Sequence, residues 1–149
     1  MVELARDFDE FFSSLIAHGV EFLIVGGYAL AFHGAPRFTG DIDVFVRPTL
    51  ANAGRLIAAL EAFGFPTGDL EASRLIEPSR LLQMGVEPVQ IHVMADISGV
   101  AWEEAWAGHE VARCGSHDLP FIGRREFVLN KRASGRMKDL ADLEALGER

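Results

Sequence analysis

The feature that most constrains this chain is an apolar run that stops at a pair of glycines. "EFLIV", residues 21–25, ends in Gly26-Gly27, and "DIDVFV" begins fourteen residues after the second glycine. Four apolar residues in a row, Phe22 to Val25, predict a short buried strand. A strand that breaks at Gly-Gly and passes into a helix brings bare backbone close to whatever lies at that turn. The helix then aims free N–H groups at it, an arrangement suited to phosphate. The stretch "GGYALAFHG" has neither the Lys-Ser/Thr of a P-loop nor a Gly-x-Gly-x-x-Gly dinucleotide pattern.

The second run carries two carboxylates. Side chains alternate along a strand, so Asp41 and Asp43 share one side while Ile42 and Val44 take the other. Two such carboxylates, about 6–7 Å apart, repel each other. Two readings follow: an edge strand that turns both to solvent, or a site that supplies a cation. Oxygen ligands alone favour Mg²⁺ or Mn²⁺, held by one or two carboxylates together with substrate phosphates. Arg37 either meets a phosphate bidentately or pairs with a surface acid, and Thr39 orders the loop before Asp41.

Bulk composition sets the frame. The 149 residues are 49% hydrophobic and 24% charged, enough for a packed core in one domain over 1–149. The net charge of -8 argues against bulk attraction to nucleic acid. Lysine occurs only at Lys131 and Lys138. One cysteine, Cys114, cannot form an internal disulfide, and no Cys/His cluster points to structural zinc. No apolar run approaches the roughly 20 residues of a membrane helix, and no leader pattern opens the chain. A soluble cytoplasmic protein is expected.

The rest of the chain reads as alternating elements. Residues 3–18 space Leu4, Phe8, Phe11, Phe12 and Leu15 as an amphipathic helix ended by Gly19. A helix from Gly27 to about His33 stops at Gly34 and Pro36. "LANAGRLIAALEAFG" is an Ala/Leu-rich helix closed by Gly64. "RLLQMG" and "VQIHVMA" predict a β-hairpin, with "GVAWEEAWAG" a short helix capping it. "HEVARCG" and "LPFIG" predict two more strands, and two helices broken near Gly135 close the chain. The expected fold is α+β (α/β), a small mixed sheet flanked by helices.

The stretch "GGYALAFHGAPRFTGDIDVFV" resembles the signature of the DNA polymerase β-like nucleotidyltransferases: strand, Gly-Gly or Gly-Ser, helix, then Asp-x-Asp or Asp-x-Glu. His33-Gly34, Arg37 and Thr39, together with "KRASGRMKDLADLEAL", resemble a small bacterial subgroup that includes abortive-infection toxins. Lys131, Arg136, Lys138, Asp139 and Asp142 fall in matching places. The resemblance is strongest at 21–46 and 131–146. It implies transfer of a nucleoside monophosphate from an NTP, with pyrophosphate leaving. It assigns Asp41 and Asp43 to a catalytic metal, and Gly26, Gly27, Arg37, Thr39 and Lys131 to the nucleotide. The acceptor stays open among a small molecule, a protein hydroxyl and an RNA end, with a partner protein such as an antitoxin completing the groove.

Relatives place a third carboxylate on a later strand, and here that place falls on His92. Three readings follow: His92 acts as surrogate base or ligand, Asp96 swings in from beyond the strand, or the site is degenerate and only binds nucleotide or a partner. A metallohydrolase using His33, His92 and the two aspartates is a further alternative, although His33 also suits a helix cap. Arg136, Lys138, Asp139 and Asp142 also read as an ion-pair network that locks the last helix, and Trp102 with Trp106 as packing.

Overall fold

The computed structural model describes residues 6–35, 40–86 and 89–148. Arg37 and Thr39 lie outside these residues. In chain order the elements are α1 (Arg6–Ala17), β1 (Phe22–Val25), α2 (Gly26–Phe32), β2 (Asp41–Val46), α3 (Leu50–Phe63) and α4 (Ala72–Leu75). They continue with β3 (Leu81–Val86), β4 (Val89–Met94), α5 (Trp102–Ala107), β5 (Glu110–Cys114), β6 (His117–Phe121), α6 (Arg124–Ser134) and α7 (Met137–Ala145).

The local causes are the ones the sequence displays. Phe8, Phe11, Phe12 and Leu15 form a fully buried stripe on α1. Thr49 caps α3 by accepting a hydrogen bond from the Asn52 N–H, and Gly64 ends it in the left-handed conformation at φ 102°. The helix after β1 begins one residue earlier than expected, at Gly26.

The strands form one six-stranded mixed sheet in the order β3-β4-β2-β1-β6-β5. β2 is central. It runs antiparallel to β1 and parallel to β4, and β4 pairs antiparallel with β3 as the expected hairpin. The register aligns one row across four strands: Val25 opposite Asp43, Asp43 opposite His92, His92 opposite Gln83. On the reverse face Ile42 and Val44 are buried. That side is covered by α1 and α3, where Phe12 stacks on Phe22 of β1 at 5.5 Å and Phe11 meets Phe63 at 5.7 Å. On the face that carries Asp43, Trp102 of α5 packs edge-on against Phe45 of β2 at 5.2 Å. Thus α5 packs on β2, the strand beside the hairpin. Among the described residues no helix is long and apolar enough to cross a membrane.

One buried amide ties α3 to the outer end of the β1–β2 pair. The Asn52 side chain is fully buried. Its Nδ2 donates to the carbonyls of Glu21 (2.9 Å) and Arg47 (3.0 Å), and its Oδ1 accepts from the Glu21 N–H at 2.8 Å. Asn52→Ala leaves the Glu21 N–H without its acceptor, while the Glu21 and Arg47 carbonyls keep the Arg47 and Thr49 N–H groups as donors, so it should lower stability by about 1–3 kcal/mol. Urea unfolding measures this, and a change under 0.5 kcal/mol would show the clamp to be dispensable.

Candidate active site

Every part of the site follows from the row Val25–Asp43–His92. β1 ends at Val25, and the next residue, Gly26, takes φ +69°. A Cβ built on Gly26 would lie 2.0 Å from Asp43 Oδ2 and 2.9 Å from its Cγ. The glycine is therefore required twice, by its left-handed backbone and by the carboxylate packed on its Cα. The space the first glycine leaves open is filled by the protein's own Asp43, which the sequence reading did not anticipate.

Asp43 is three-quarters buried, with a side-chain exposure of 24%. Burial pushes its carboxyl above the usual range. The charge and hydrogen bond of His92 pull the other way, Asp41 beside it raises it further, and Lys138 lowers it. His92 Nδ1 lies 2.9 Å from Asp43 Oδ1, so the imidazole donates to the carboxylate. Its other nitrogen, Nε2, is 3.4 Å from Gln90 Oε1. The position where the resemblance implies a third acid thus holds an imidazole bound directly to the second aspartate.

These groups line a cavity of about 620 Å³, a size suited to a small organic ligand. Val25, Gly26, Gly27, Asp43 and His92 form one part of the lining. Ser79, Leu81, Met94, Asp96, Ile97 and Ser98 form a second, from the start of β3 and the end of β4. Asn130, Lys131, Ser134, Arg136 and Lys138 form a third, from α6 and α7. Asp41 stands two residues from Asp43 on the same face of β2 but does not line this cavity.

Lys131 is buried, with 6% exposure, and its Nζ lies 3.2 Å from both Asp139 Oδ1 and Asp142 Oδ2. Arg136 closes the set: its Nε donates to Asp139 Oδ2 at 2.8 Å and its backbone N–H to the same oxygen at 3.2 Å. Burial by itself would raise the Asp139 carboxyl. The hydrogen bonds from Arg136 and Lys131 outweigh it and hold the carboxyl down at about 2. An ion-pair network does form here, but Lys131 takes the place expected for Lys138: it is built from Lys131, Arg136, Asp139 and Asp142.

Two alternatives lose their geometry. His33 Nε2 meets the Ile122 carbonyl at 2.7 Å, and Nδ1 faces Glu110 at 3.9 Å. The ring serves the packing of α2 against β6, and the metallohydrolase grouping of His33 with His92 does not form. Asp96 lies beyond the end of β4, where its Oδ1 accepts from the Ser79 N–H at 2.7 Å. It lines the cavity from that end, on the Ser79 side. Trp102 and Trp106 stack at 5.5 Å as a packing pair.

Sequence reasoning missed Ser79, Leu81, Met94, Asn130 and Ser134, polar and apolar residues whose local patterns carry no chemical signal. Ser79 has one oddity, a non-glycine φ of +63°, which no local pattern foretold.

No protein-family model matches the chain, and no curated protein matches it. Solved structures do. TM1012 from Thermotoga maritima, a provisionally assigned nucleotidyltransferase, matches with a TM-score of 0.63 at 13% identity, over 95% of this chain and 89% of that one. The lincosamide antibiotic adenylyltransferase LnuA, solved with lincomycin bound, matches with a TM-score of 0.62 at 12% identity, over 99% and 98%. The chain has a nucleotidyltransferase-like fold, a mixed sheet flanked by helices.

Two consequences are measurable. Gly26→Ala forces a left-handed alanine and a clash with Asp43. It should lose about 1–2 kcal/mol from the backbone alone, read as a lower urea midpoint; an unchanged midpoint would contradict the close approach. The folded Asp139 carboxyl sits at about 2, below its ordinary 3.8. Its contribution of about 2 kcal/mol is present above pH 5 and lost as pH falls towards 2. The stability gap between wild type and Asp139→Asn should therefore narrow from pH 6 to pH 3. A constant gap would refute the coupling.

Proposed function

We propose that this chain is a metal-dependent nucleotidyltransferase that moves a nucleoside monophosphate from an NTP to an acceptor hydroxyl. The observation that carries the proposal is the row joining the Gly26 turn, Asp43 and His92 along a cavity whose α6–α7 lining is cationic. The nucleotidyltransferase-like fold supports it.

Asp41 and Asp43 suit a hard divalent cation. They offer oxygen donors on one strand face, and burial raises the Asp43 carboxyl in the manner of an acid short of positive charge. Mg²⁺ or Mn²⁺ bound there would supply charge neutralisation at the phosphates. The side-chain-free turn at Gly26-Gly27 lets phosphate oxygens approach backbone beside Asp43. Arg37 and Thr39 are carried as nucleotide contacts by the sequence resemblance.

In the transfer the acceptor oxygen bonds to the α-phosphorus, the bond from that phosphorus to the bridging oxygen breaks, and pyrophosphate leaves with the electron pair. The acceptor's proton goes to His92 Nε2. Asp43 at Nδ1 orients the ring and favours the imidazolium that forms. The acceptor is a small molecule, a protein hydroxyl or an RNA end. Lincosamide adenylylation by LnuA makes ATP with a small hydroxylated acceptor the first pair to try. A toxin-type role with a partner protein, in a bacterial cytoplasm, rests on the sequence resemblance at 21–46 and 131–146.

The Asp43–His92 hydrogen bond also favours a second reading, a nucleotide- or partner-binding protein whose chemistry has been lost because an imidazole replaces the third acid. Pyrophosphate release from each of the four NTPs, with Mg²⁺ and with Mn²⁺, separates the two. Transfer predicts release by wild type that falls at least about 100-fold in Asp43→Ala. Release that persists in Asp43→Ala refutes the site. NTP binding without release in wild type, with release gained in His92→Asp, selects the second reading.

A further inference from the structure

The α6–α7 lining of the cavity carries three cations, and they are not equivalent. Lys131 is buried with its ammonium shared between Asp139 and Asp142. Arg136 is committed to Asp139 by its side chain. Two cations and two carboxylates make a set of zero formal charge, so this cluster shapes the wall but presents little charge to an anion.

Lys138 differs. It lines the same cavity, its side chain is exposed, and among the described residues it is in no ion pair within 4.0 Å. Asp43 lines the same cavity. It also stands in the first turn of α7, directly before Asp139. A cation in a helix's first turn opposes the helix dipole, so Lys138 does nothing for the helix that carries it. An exposed, dipole-opposed ammonium facing an acidic strand across a cavity is placed for an anion bound between them.

We propose that Lys138, not Lys131, is the side chain that holds the β- and γ-phosphates of the nucleotide, with Lys131 serving as the buried pin of the α6–α7 pair. This rests on the nucleotidyltransferase reading of the site. It assigns the triphosphate to the α7 side of the cavity, and it leaves the lining of Ser79, Leu81, Met94 and Asp96 for the acceptor.

Calorimetric titration in Mg²⁺ tests it: first the four NTPs on wild type, then the NTP bound most tightly (written here as ATP) and its monophosphate (written as AMP) on wild type, Lys138→Gln, Lys138→Arg and Lys131→Met. Lys138→Gln should weaken ATP binding roughly 10–100-fold and leave AMP binding within about twofold. Lys138→Arg should restore most of the difference, because a guanidinium also grips phosphate. Lys131→Met should show its effect in a lowered melting temperature, since it leaves Asp139 and Asp142 short of a counter-charge. ATP affinity unchanged in Lys138→Gln, or ATP and AMP weakened alike, overturns the assignment while the nucleotidyltransferase reading stands. If wild type binds none of the four NTPs under these conditions, that reading fails and takes this inference with it.

Discussion

The pairing of β2 with both of its neighbours is the constraint on which the site depends. β2 is antiparallel to β1 and parallel to β4, so Asp43, Val44 and Phe45 each have a defined neighbour on either side. Asp43 is held between the last residue of β1 and His92 of β4. Shifting either pairing by one residue would turn the aspartates into the layer under α1 and α3 and present Ile42 and Val44 to the cavity. The buried apolar face of β2 opposes such a slip, because Ile42 and Val44 are completely shielded from water. The hydrophobic effect thus sets the position of a polar site on the opposite face of the same strand.

Charge is distributed around that row in two ways. Near α7, Lys131 and Arg136 are neutralised by Asp139 and Asp142, and the strongly held Asp139 marks a structural ion cluster. At β2 the balance is different: Asp43 is desolvated and has a second carboxylate nearby, and among the described residues His92 and Lys138 lower its carboxyl in return. Buried charge of this kind is costly unless it is compensated, which is why the β2 side of the cavity suits a cation and the α7 cluster suits the fold.

Much of the fold was legible because its signals are local. The α1 stripe of phenylalanines, the Gly64 end of α3 and the pairing of β3 with β4 all follow from signals within a few residues. The common face of Asp41 and Asp43 was legible for the same reason, the two-residue repeat of a strand. Strand order was not legible. Nothing near β6 shows that it pairs with β1, at Ile24 opposite Phe121, rather than with the hairpin that precedes it. His33 was ambiguous in sequence because its partner, the Ile122 carbonyl, is 89 residues away.

The sequence by itself determined the elements, the glycine turn and the face on which two carboxylates stand, since each follows from backbone periodicity and steric limits. Only the tertiary structure decided what those carboxylates meet. Gly26 proved to make room for Asp43, His92 to bind it, and Lys131 to be spent on Asp139 and Asp142 while Lys138 stays exposed. The physical reason is that charge acts through space: the neighbours that neutralise a group, or leave it uncompensated, come from strands and helices far apart in the chain and are brought together only by the packing of the sheet.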